Sequence, residues 1–440
     1  MMSKQRPFYF AVTIGMLIFI ATSASGQSTR VQFHSVAFAE NVDYQSFASM
    51  MMLKHTIGKF HKLPKNPVFT YSRNGWDSRD VSDPFVLATA DTIYLFYDGS
   101  SGGKYSIGYA VRDPEGWYWM RRGKILEGNN GQWDSYHQID PFVILIGDER
   151  RLYYSGNSSD SEFGYQVGVA VKNETGDWSC PQMNPVLAAD STSWDFAGNI
   201  YASIVYFPGQ NIFRMWYTGF QGPLSGIGLA ESREGLNWKK IGSGPVLNLI
   251  PGVISPAVIY NGEKYVMYFV QLSLGNRYRT KICRAESKDG IHWGDSEDIL
   301  LPTEKWEGSK LMKPNLSYFE GRIHLHYCAQ KSSSWQIGEA VAEATFAKKG
   351  VWRSKIMKGN VNKIEIKYEQ PEGTSMKVSI IDPISGLRKP LSFKQAIPIR
   401  PNVYSESITD INIRGDWQVE LELETTVENL SPVIYEINFE

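Results

Sequence analysis

The sequence predicts an all-β protein made largely of one repeated unit. The stretch SDPFVLATADTIYLFYDG, beginning at Ser82, has a near copy in IDPFVILIGDERRLYYSGN, beginning at Ile139. Three further units begin at Tyr201, Ile254 and Met312. Four short strands per unit, separated by Gly, Asn and Asp turns, are typical of β-propeller blades. The five units therefore predict a five-bladed β-propeller.

Each unit has a recognisable order of strands. The first strands read SDPFVLA, IDPFVIL, YASIVYF, ISPAVIY and MKPNLSY, and the second strands read TIYLFYDG, RLYYSGNS, IFRMWYTG, KYVMYFVQ and RIHLHYCA. A third strand follows, and a more polar fourth strand closes most units. The last unit lacks a clear fourth strand, whereas KLPKNPVF, Lys62–Phe69, resembles the unit ends MNPVL and SGPVL. We expect this N-terminal strand to complete the fifth blade, because closure removes exposed sheet edges.

The pattern changes near Val351. The segments NKIEIKYEQ, MKVSIIDP, DINIRGDWQVELELE and PVIYEINFE alternate with period two and lack the blade motifs. This predicts a small C-terminal β-sandwich over residues 351–440, after a propeller over residues 61–350. Residues 27–60 have no clear structure, although DYQSFASMMMLKHTIGKF within them reads as a short helix packed on the propeller.

The N-terminus has the form of a secretory signal peptide. Lys4 and Arg6 precede an apolar run from Phe8 to Ile20, and small residues follow. The alternative is an uncleaved membrane anchor, but the run is shorter than the roughly 20 residues that a spanning helix needs. We therefore expect residues 1–26 to be removed and the protein to be secreted or periplasmic, with no membrane association afterwards.

Composition narrows the range of partners. The chain has 45 basic and 46 acidic residues and a net charge of −1, which gives no sign of a nucleic-acid or anionic-membrane partner. Aromatic residues make up 13%, as in β-rich or sugar-stacking proteins. The 3 Cys residues do not form a disulfide framework or a metal-ligand spacing, so buried apolar roles are favoured. Composition does not predict the oligomeric state.

Five positions at the starts of the first strands align with one another. They are Asp83, Asp140, Tyr201 or its neighbour Ala202, Ser255 and Lys313. An Asp-Pro pair at a strand entry can simply form a turn with an Asx hydrogen bond. Only the first two units carry it, however, and this asymmetry favours a functional role for Asp83 and Asp140.

A Trp-acid pair precedes four of the five strand starts by seven residues. The pairs are Trp76-Asp77, Trp133-Asp134, Trp194-Asp195 and Trp306-Glu307. The structural interpretation, in which Trp packs between blades and the acid caps a turn, is favoured over a catalytic one. Aromatic strand residues are likewise expected to pack between blades, with sugar stacking as the alternative for Tyr97, Tyr136, Tyr201 and Trp216.

The blade sequences SDPFVLATADTIYLFYDGSS, GIGLAESREGLNWKK and KICRAESKDGIHWGD resemble the five-bladed β-propeller glycoside hydrolases, the superfamily of families 43, 32, 62, 117 and 130. The resemblance covers roughly Lys62 to Phe346 and implies carbohydrate as the partner. In family 43, two Asp and one Glu project into the central funnel, and carboxyl groups on both sides of the scissile bond perform acid–base catalysis. Some of these propellers hold an axial Ca²⁺, but no acidic cluster in this sequence specifies one, so no cofactor is predicted.

The resemblance implies that Asp83 is the general base and Asp140 the second, orienting Asp, but the expected Glu, which serves as the general acid in the family, is absent. The later strand starts carry Tyr201, Ser255 and Lys313 instead. Either the two Asp form the catalytic pair, with the pKa of one raised by the other, or a loop supplies the acid. The candidates for a loop acid are Asp77, Asp80, Asp134, Asp195 and Glu307. Substrate binding is expected from Arg79, Asp80, His137, Tyr201, Ser255 and Lys313, although a lone His is more often structural.

These observations predict a secreted glycoside hydrolase that uses carboxylates in the propeller funnel. The first alternative is a non-catalytic carbohydrate-binding propeller that has lost its acid. A phosphorylase is a further alternative, in which Arg79 and Lys313 would bind phosphate. A scaffold for polysaccharide assembly is the last.

Overall fold

The computed structural model describes residues 29–440 except 31–32, 34–35, 48–49, 114, 117, 129–130, 148, 173–175, 208–209, 274–275 and 393–395. The predicted signal peptide, residues 1–26, lies outside the described residues. Every regular element in the described part is a β-strand, which confirms the all-β prediction. The same part contains no helix of the length and apolarity that crossing a membrane requires.

The strands divide into an N-terminal group, five consecutive groups of a repeating pattern, and a C-terminal group. The N-terminal strands are β1 (Thr29–Arg30), β2 (Val36–Glu40), β3 (Val42–Asp43), β4 (Met51–Leu53), β5 (His55–Ile57) and β6 (His61–Lys62). The repeating strands are β7 (Asp80–Ala88), β8 (Ile93–Ser100), β9 (Ser106–Arg112), β10 (Trp119–Leu126), β11 (His137–Ile146), β12 (Glu149–Asn157), β13 (Gln166–Lys172), β14 (Trp178–Ser179), β15 (Gly198–Phe207), β16 (Ile212–Gln221), β17 (Leu224–Ser232), β18 (Lys239–Ile241), β19 (Val253–Tyr260), β20 (Tyr265–Ser273), β21 (Asn276–Ser287), β22 (Glu297–Leu300), β23 (Lys310–Phe319), β24 (Arg322–Lys331) and β25 (Ser334–Ala342). The C-terminal strands are β26 (Ala344–Phe346), β27 (Lys349–Ser354), β28 (Met357–Lys358), β29 (Val361–Glu369), β30 (Thr374–Ile381), β31 (Arg388–Pro390), β32 (Ile397–Arg400), β33 (Val403–Ile413), β34 (Asp416–Thr425) and β35 (Val433–Phe439).

The repeating strands form five antiparallel four-stranded sheets. Sheets I to IV are β7–β10, β11–β14, β15–β18 and β19–β22, and sheet V is β23–β24–β25–β6. The predicted N-terminal segment therefore does complete the fifth sheet: Lys62 pairs with Ala340, and Phe69 bridges to Ile337. The first strands β7, β11, β15, β19 and β23 each contact the next, and β23 contacts β7, so they form a closed ring.

The core lies between successive sheets. Aromatic and branched side chains of the second and third strands fill the spaces between sheets I and II, II and III, and III and IV in separate apolar clusters. A larger cluster joins sheets IV, V and I to the C-terminal strands. The alternation of apolar and aromatic residues in the repeated units therefore serves packing between sheets, which buries both faces of each sheet.

Two further sheets combine strands from the start of the described part, residues 29–53, with the C-terminal strands. Sheet VI has the order β3–β4–β35–β29–β33–β32, with β1 also on β35, and sheet VII has the order β2–β27–β34–β30–β31, with β28 also on β34. Their apolar side chains share one core, which includes Trp352, Ile366, Leu421 and Ile437. Alternating burial along β34 and β35 explains the period-two pattern of the sequence.

The helix expected within residues 43–60 is wrong. This segment forms β4 and β5, and β4 pairs with β35 through Met51–Ile434 and Met52–Val433. The apolar run MMML is buried because it adds a strand to a preformed sheet, a contact that local helical periodicity does not reveal. Residues 44–47 and Met50 also line a cavity with the carboxyl-terminal halves of the five first strands. The N-terminal segment thus covers one end of the ring.

Candidate active site

The five aligned strand starts share one unusual backbone conformation. Each has a positive φ, at 46° for Asp83, 64° for Asp140, 61° for Tyr201, 55° for Ser255 and 49° for Lys313. Each also coincides with a shift in strand register, which marks a β-bulge. Non-glycine residues adopt this conformation at a cost, so its recurrence reflects a common architectural need to turn these side chains. The structure also decides that Tyr201 is the third member of the set.

Side chains on the second strands hold most of the bulges in place. At three of the five sheet junctions, a side chain of one sheet accepts a hydrogen bond from the backbone N–H of the bulge residue in the next sheet. The pairs are Asp98 with Asp140, Ser155 with Tyr201, and Thr218 with Ser255. In sheet V, Cys328 occupies the same position and donates its thiol to the Asp83 carboxyl group instead. Val270 occupies the corresponding position in sheet IV and offers no acceptor. Asp98 therefore shares a structural role with Ser155 and Thr218 but adds an ionisable carboxyl group.

Three carboxyl groups and one ammonium group meet where sheets I, II and V approach the ring axis. Asp83 lies beside Asp98, and its Oδ1 accepts a hydrogen bond from Cys328 at 3.5 Å. Lys313 forms an ion pair with Asp140 across the ring. All four charged residues are buried, with Asp83 the most exposed at 6%. A buried group of this composition has to be paired or partly neutralised.

The two acids of the predicted pair have different surroundings. The second oxygen of Asp140 accepts hydrogen bonds from Ser155 Oγ at 2.9 Å and from the Ala202 amide at 3.2 Å. Burial raises the pKa of Asp140, while the Lys313 ammonium lowers it and favours the charged form. Both oxygens of Asp140 are therefore engaged by partners inside the protein.

Asp83 is the group poised to exchange a proton. Burial, followed by the charge of Asp140, raises the pKa of Asp83 to about 7, and Lys313 only partly offsets this. Burial and the charge of Asp83 raise the pKa of Asp98 as well. Because two adjacent buried carboxylates do not both ionise easily, a proton is held by the Asp83–Asp98 pair near neutral pH.

Asp83 and Asp98 lie on the wall of a cavity of about 130 Å³. Its other walls include Tyr105, His137, Tyr165, Tyr201, Met312 and Trp335. A wider cavity of about 320 Å³ shares Tyr165, Tyr201, Met312 and Trp335 with it and is lined mainly by apolar side chains such as Phe163, Ile200 and Phe220. Glu162 also lines the wider cavity. The two cavities form a funnel that opens from the buried acids toward the surface.

Three of the predicted site residues contribute to the cavity wall, and one supports it. Asp83, Tyr201 and His137 line the cavity. Asp80 accepts hydrogen bonds from the Trp335 amide at 2.9 Å and from the Tyr105 hydroxyl at 3.1 Å, so it positions two wall residues.

Asp140, Ser255 and Lys313 do not line either cavity, contrary to the prediction for their site roles. The Lys313 ammonium is engaged by Asp140, and Ser255 is fully buried with its amide bonded to Thr218. Arg79 is half exposed and lies 3.6 Å from Asp80, also away from the cavity lining. The described part of the funnel therefore has no pair of cations free to bind phosphate.

His137 is held by contacts on both ring nitrogens. Its Nδ1 accepts a hydrogen bond from the Tyr105 amide at 3.3 Å, and Nε2 lies 3.4 Å from Asp160. The ring stacks on Tyr165 with centroids 6.1 Å apart. Burial lowers the pKa of His137 despite Asp160, so the neutral form prevails at neutral pH. His137 is thus a structurally fixed wall residue, as the alternative interpretation held.

The Trp-acid pairs belong to the framework. Each acid accepts a hydrogen bond from a buried Tyr hydroxyl of the second strand, and each Trp stacks near that Tyr ring. The Tyr–acid pairs are Tyr97–Asp77, Tyr154–Asp134, Tyr217–Asp195 and Tyr327–Glu307, at 2.8–2.9 Å. Three of the acids also form ion pairs at 2.7 Å with cations, namely Arg121, Lys240 and Lys62. These acids are therefore engaged by framework partners, and none of them lines either funnel cavity.

The same framework accounts for two aromatic residues considered for sugar stacking. Tyr97 packs against Trp76, and Trp216 donates its indole N–H to the Gly290 carbonyl between sheets III and IV. Sheet IV, which lacks the Trp-acid pair, has Phe269 where the other sheets have Tyr. The hydroxyl is thus absent where its acceptor is absent.

Sequence reasoning missed Asp98, Tyr165, Glu162 and Trp335. Asp98 had a usable signal, since it stands in YDG where the equivalent strands carry Ser, Thr, Val and Cys. The other three gave none, because they lie on loops or third strands whose approach to the axis depends on the closure of the ring. Among the described residues, no group of three or more His, Cys, Asp or Glu is arranged to hold a metal ion.

Comparisons with known proteins bear on the fold. No protein-family model matches the chain. Two curated relatives from Mycobacterium tuberculosis, Uncharacterized protein MT1551 and Uncharacterized protein Rv1502, are each 25% identical over 280 residues, covering 58% of this chain and 89% of the relative. Neither name describes an activity.

Solved structures give closer guidance on architecture. A structure described as a glycoside hydrolase matches with a TM-score of 0.55 and 18% identity, covering 65% of this chain and 92% of its own. A glycosyl hydrolase from Bacteroides ovatus matches with a TM-score of 0.52 and 17% identity, covering 65% and 94%. A third structure matches with a TM-score of 0.51 and 15% identity, covering 65% of this chain and 94% of its own. Its description states that the GH130 family of mannoside phosphorylases contains glycoside hydrolases that target β-1,2-mannosidic linkages in Candida mannan. This chain therefore has a glycoside hydrolase-like fold.

Proposed function

We propose that the protein is a secreted glycoside hydrolase that cleaves a poly- or oligosaccharide in the funnel of a five-bladed β-propeller. In this interpretation sheets I to V are the blades, and sheets VI and VII form a β-sandwich that braces them. The closed ring of first strands and the glycoside hydrolase-like fold support the architecture. Export is proposed from the sequence of residues 1–26 alone.

One observation carries the proposal: Asp83, with its pKa raised to about 7, lines a cavity with aromatic walls. Cleavage of a glycosidic bond requires a proton on the leaving oxygen, and a carboxyl group protonated near neutral pH can supply it. We assign Asp83 as the general acid. Asp98 shares the proton, and the Asp140–Lys313 pair sets the local field without touching the substrate.

A second carboxylate has to act from the other side of the sugar. Asp98 is in contact with Asp83, which puts both on one side, and the oxygens of Asp140 are occupied. Glu162 is the remaining acidic residue among the described residues that line the funnel. We therefore assign Glu162 as the carboxylate that activates water or attacks the sugar. Tyr201 and Trp335 supply the faces for sugar stacking.

The test is a screen of plant and microbial polysaccharides for new reducing ends, run with and without inorganic phosphate. Asp83→Asn and Glu162→Gln should each lower kcat by about 10²–10⁴-fold on any substrate found, because each removes one half of acid–base catalysis. Glu372→Gln, an exposed residue outside the ring, is the matched control and should keep full activity. Folded Asp83→Asn and Glu162→Gln variants that both retain full activity would refute the assignment. Products that form only with phosphate would instead identify a phosphorylase.

A non-catalytic carbohydrate-binding propeller is the second candidate. The burial of Asp140 in its ion pair favours it, since the predicted two-Asp catalytic pair is not available to substrate. This function predicts glycan binding without product release, and binding that survives Glu162→Gln. Calorimetric titration with the same glycans separates the two candidates.

A further inference from the structure

The junction between sheets I and II differs from junctions II–III and III–IV in how its outer part is closed. In each of the five sheets, an aromatic or imidazole ring occupies the same position on the second strand. This position lies two residues before the aligned residues Asp98, Ser155, Thr218, Val270 and Cys328. These rings belong to Phe96, Tyr153, Trp216, Tyr268 and His326. All five are buried, so this position normally belongs to the core.

Junctions II–III and III–IV show how the cover is built. The Tyr153 hydroxyl donates to the Gly235 carbonyl at 2.8 Å, and the Trp216 indole N–H donates to the Gly290 carbonyl at 2.9 Å. A side chain placed at either glycine would collide with the covered ring. Leu236 follows the first glycine, and Ile291 follows the second; both pack into the junction. At each of these junctions, the loop that contains the glycine therefore packs directly against the aromatic side chain.

At junction I–II the described residues, which exclude 173–175, form a less complete cover. Phe96 has no polar group to hold a carbonyl, and Asp177 alone separates Gly176 from Trp178, so the packing Leu or Ile is missing. A side chain placed at Gly176 would meet only Lys172, at 3.8 Å. The result is a cleft of about 330 Å³, hereafter the I–II cleft, lined by Tyr94, Phe96, Tyr109, Arg150, Lys172 and Trp178 among others.

The I–II cleft combines flat rings with positive charge. Tyr94, Phe96 and Tyr109 lie on one face of sheet I, with ring centroids 5.9–6.3 Å apart and interplanar angles of 24–39°. Arg150 lies 5.5 Å from the centre of the Tyr94 ring. Neither Arg150 nor Lys172 forms an ion pair with any described residue. Burial and the nearby Arg150 lower the pKa of Lys172, with Asp177 opposing them.

Three cations, Lys124, Arg150 and Lys172, line the I–II cleft, against one carboxylate, Asp177. Arg150 and Lys172 repel each other, and Asp177 offsets this only in part for Lys172, so the arrangement gains from a ligand that brings further negative charge. A guanidinium group binds a carboxylate through two parallel hydrogen bonds, and aromatic faces accept the apolar face of a sugar ring. We propose that the I–II cleft is a binding site for a uronic acid residue of an acidic saccharide, separate from the funnel. The sugar ring would stack on Tyr94 and Tyr109 while its carboxylate meets Arg150 and Lys172.

The test is calorimetric titration of the full chain with oligogalacturonides and with neutral galactooligosaccharides of the same length. The expected result is binding of the acidic series alone, weakened by added salt. Arg150→Gln and Lys172→Gln should each reduce affinity by about tenfold, since each removes a charged hydrogen bond. Lys239→Gln, an exposed cation on sheet III, is the matched control and should bind normally.

Two further measurements keep the result specific. Asp83→Asn should bind oligogalacturonides like the wild type, which makes the outcome independent of the proposed catalytic function. Thermal unfolding should show that the Arg150→Gln and Lys172→Gln variants are folded. Equal binding of the neutral series, normal binding by both cleft variants, or complete displacement by equimolar inorganic phosphate would overturn the proposal.

Discussion

Replacing Asp83 with Asn should make the protein more stable at neutral and alkaline pH. Asn has nearly the shape of Asp, and it tolerates the left-handed conformation, with φ of 46°, that position 83 adopts. The substitution therefore removes the ionisable group with little change in packing. In the native protein, ionised Asp83 is a buried charge that the charge of Asp140 repels, so removing it relieves both the burial cost and this repulsion.

The size of the effect follows from the pKa of Asp83, which is raised from 3.8 to about 7. The native state then binds this proton more tightly than the unfolded chain, so stability is greatest below the unfolded pKa and is lost as pH rises toward the folded pKa. About three pH units at about 1.36 kcal/mol per unit correspond to about 4 kcal/mol. The Asp83→Asn variant lacks this loss. It should match the wild type near pH 4 and exceed it by about 4 kcal/mol above pH 7.

The assay is equilibrium urea unfolding of both proteins at a series of pH values from acid to alkaline. Ser255→Gly is the control, because it changes an equivalent bulge residue with φ of 55° without changing a charge. Its difference from the wild type should stay constant with pH. If the difference between Asp83→Asn and wild type is also constant with pH, Asp83 does not carry the raised pKa and the assignment of the general acid loses its basis.

Three further predictions concern the same region and its framework. Activity should fall as pH rises through about 7, and Asp140→Asn should move this fall to lower pH. The substitution removes the charge of Asp140, which raises the pKa of Asp83, and leaves Lys313, which lowers it. A pH–rate profile of the variant that coincides with that of the wild type would contradict this prediction. Lys313→Met should lower the free energy of unfolding by about 3–5 kcal/mol because it leaves Asp140 unpaired, whereas the double variant Lys313→Met with Asp140→Leu should lower it by less. If the effects of the two single substitutions simply add in the double variant, the two residues are not coupled. Tyr327→Phe should cost about 1.5–3 kcal/mol through the lost hydrogen bond to Glu307, and an unchanged melting temperature would show that the bond contributes nothing.

Local sequence patterns were sufficient to predict the repeated β-sheets and the alignment of their five strand starts. The alternating strands predicted the sheets because each strand carries its own burial pattern. Alignment of the first strands found all five bulge positions, leaving only Tyr201 or Ala202 open. It also singled out Asp83 and Asp140 equally, although only Asp83 lines the cavity, and the Trp-acid spacing favoured the framework role that the hydrogen bonds show. These are local properties of a unit that occurs five times, so a pattern found in one unit can be compared with the other four.

The tertiary structure, and not the local sequence, decided which charged residues are in contact. Lys313 neutralises Asp140 because ring closure brings sheets II and V to the same axis, although the two residues are far apart in the chain. Asp98 adds a second buried carboxyl group to the site from a second strand, and burial together with the charge of Asp83 raises the pKa of Asp98. The strands β4 and β5 formed in place of the expected helix because the partner of β4, β35, lies at the far end of the sequence. Contacts across such separations depend on how distant segments come together, and no local pattern records them.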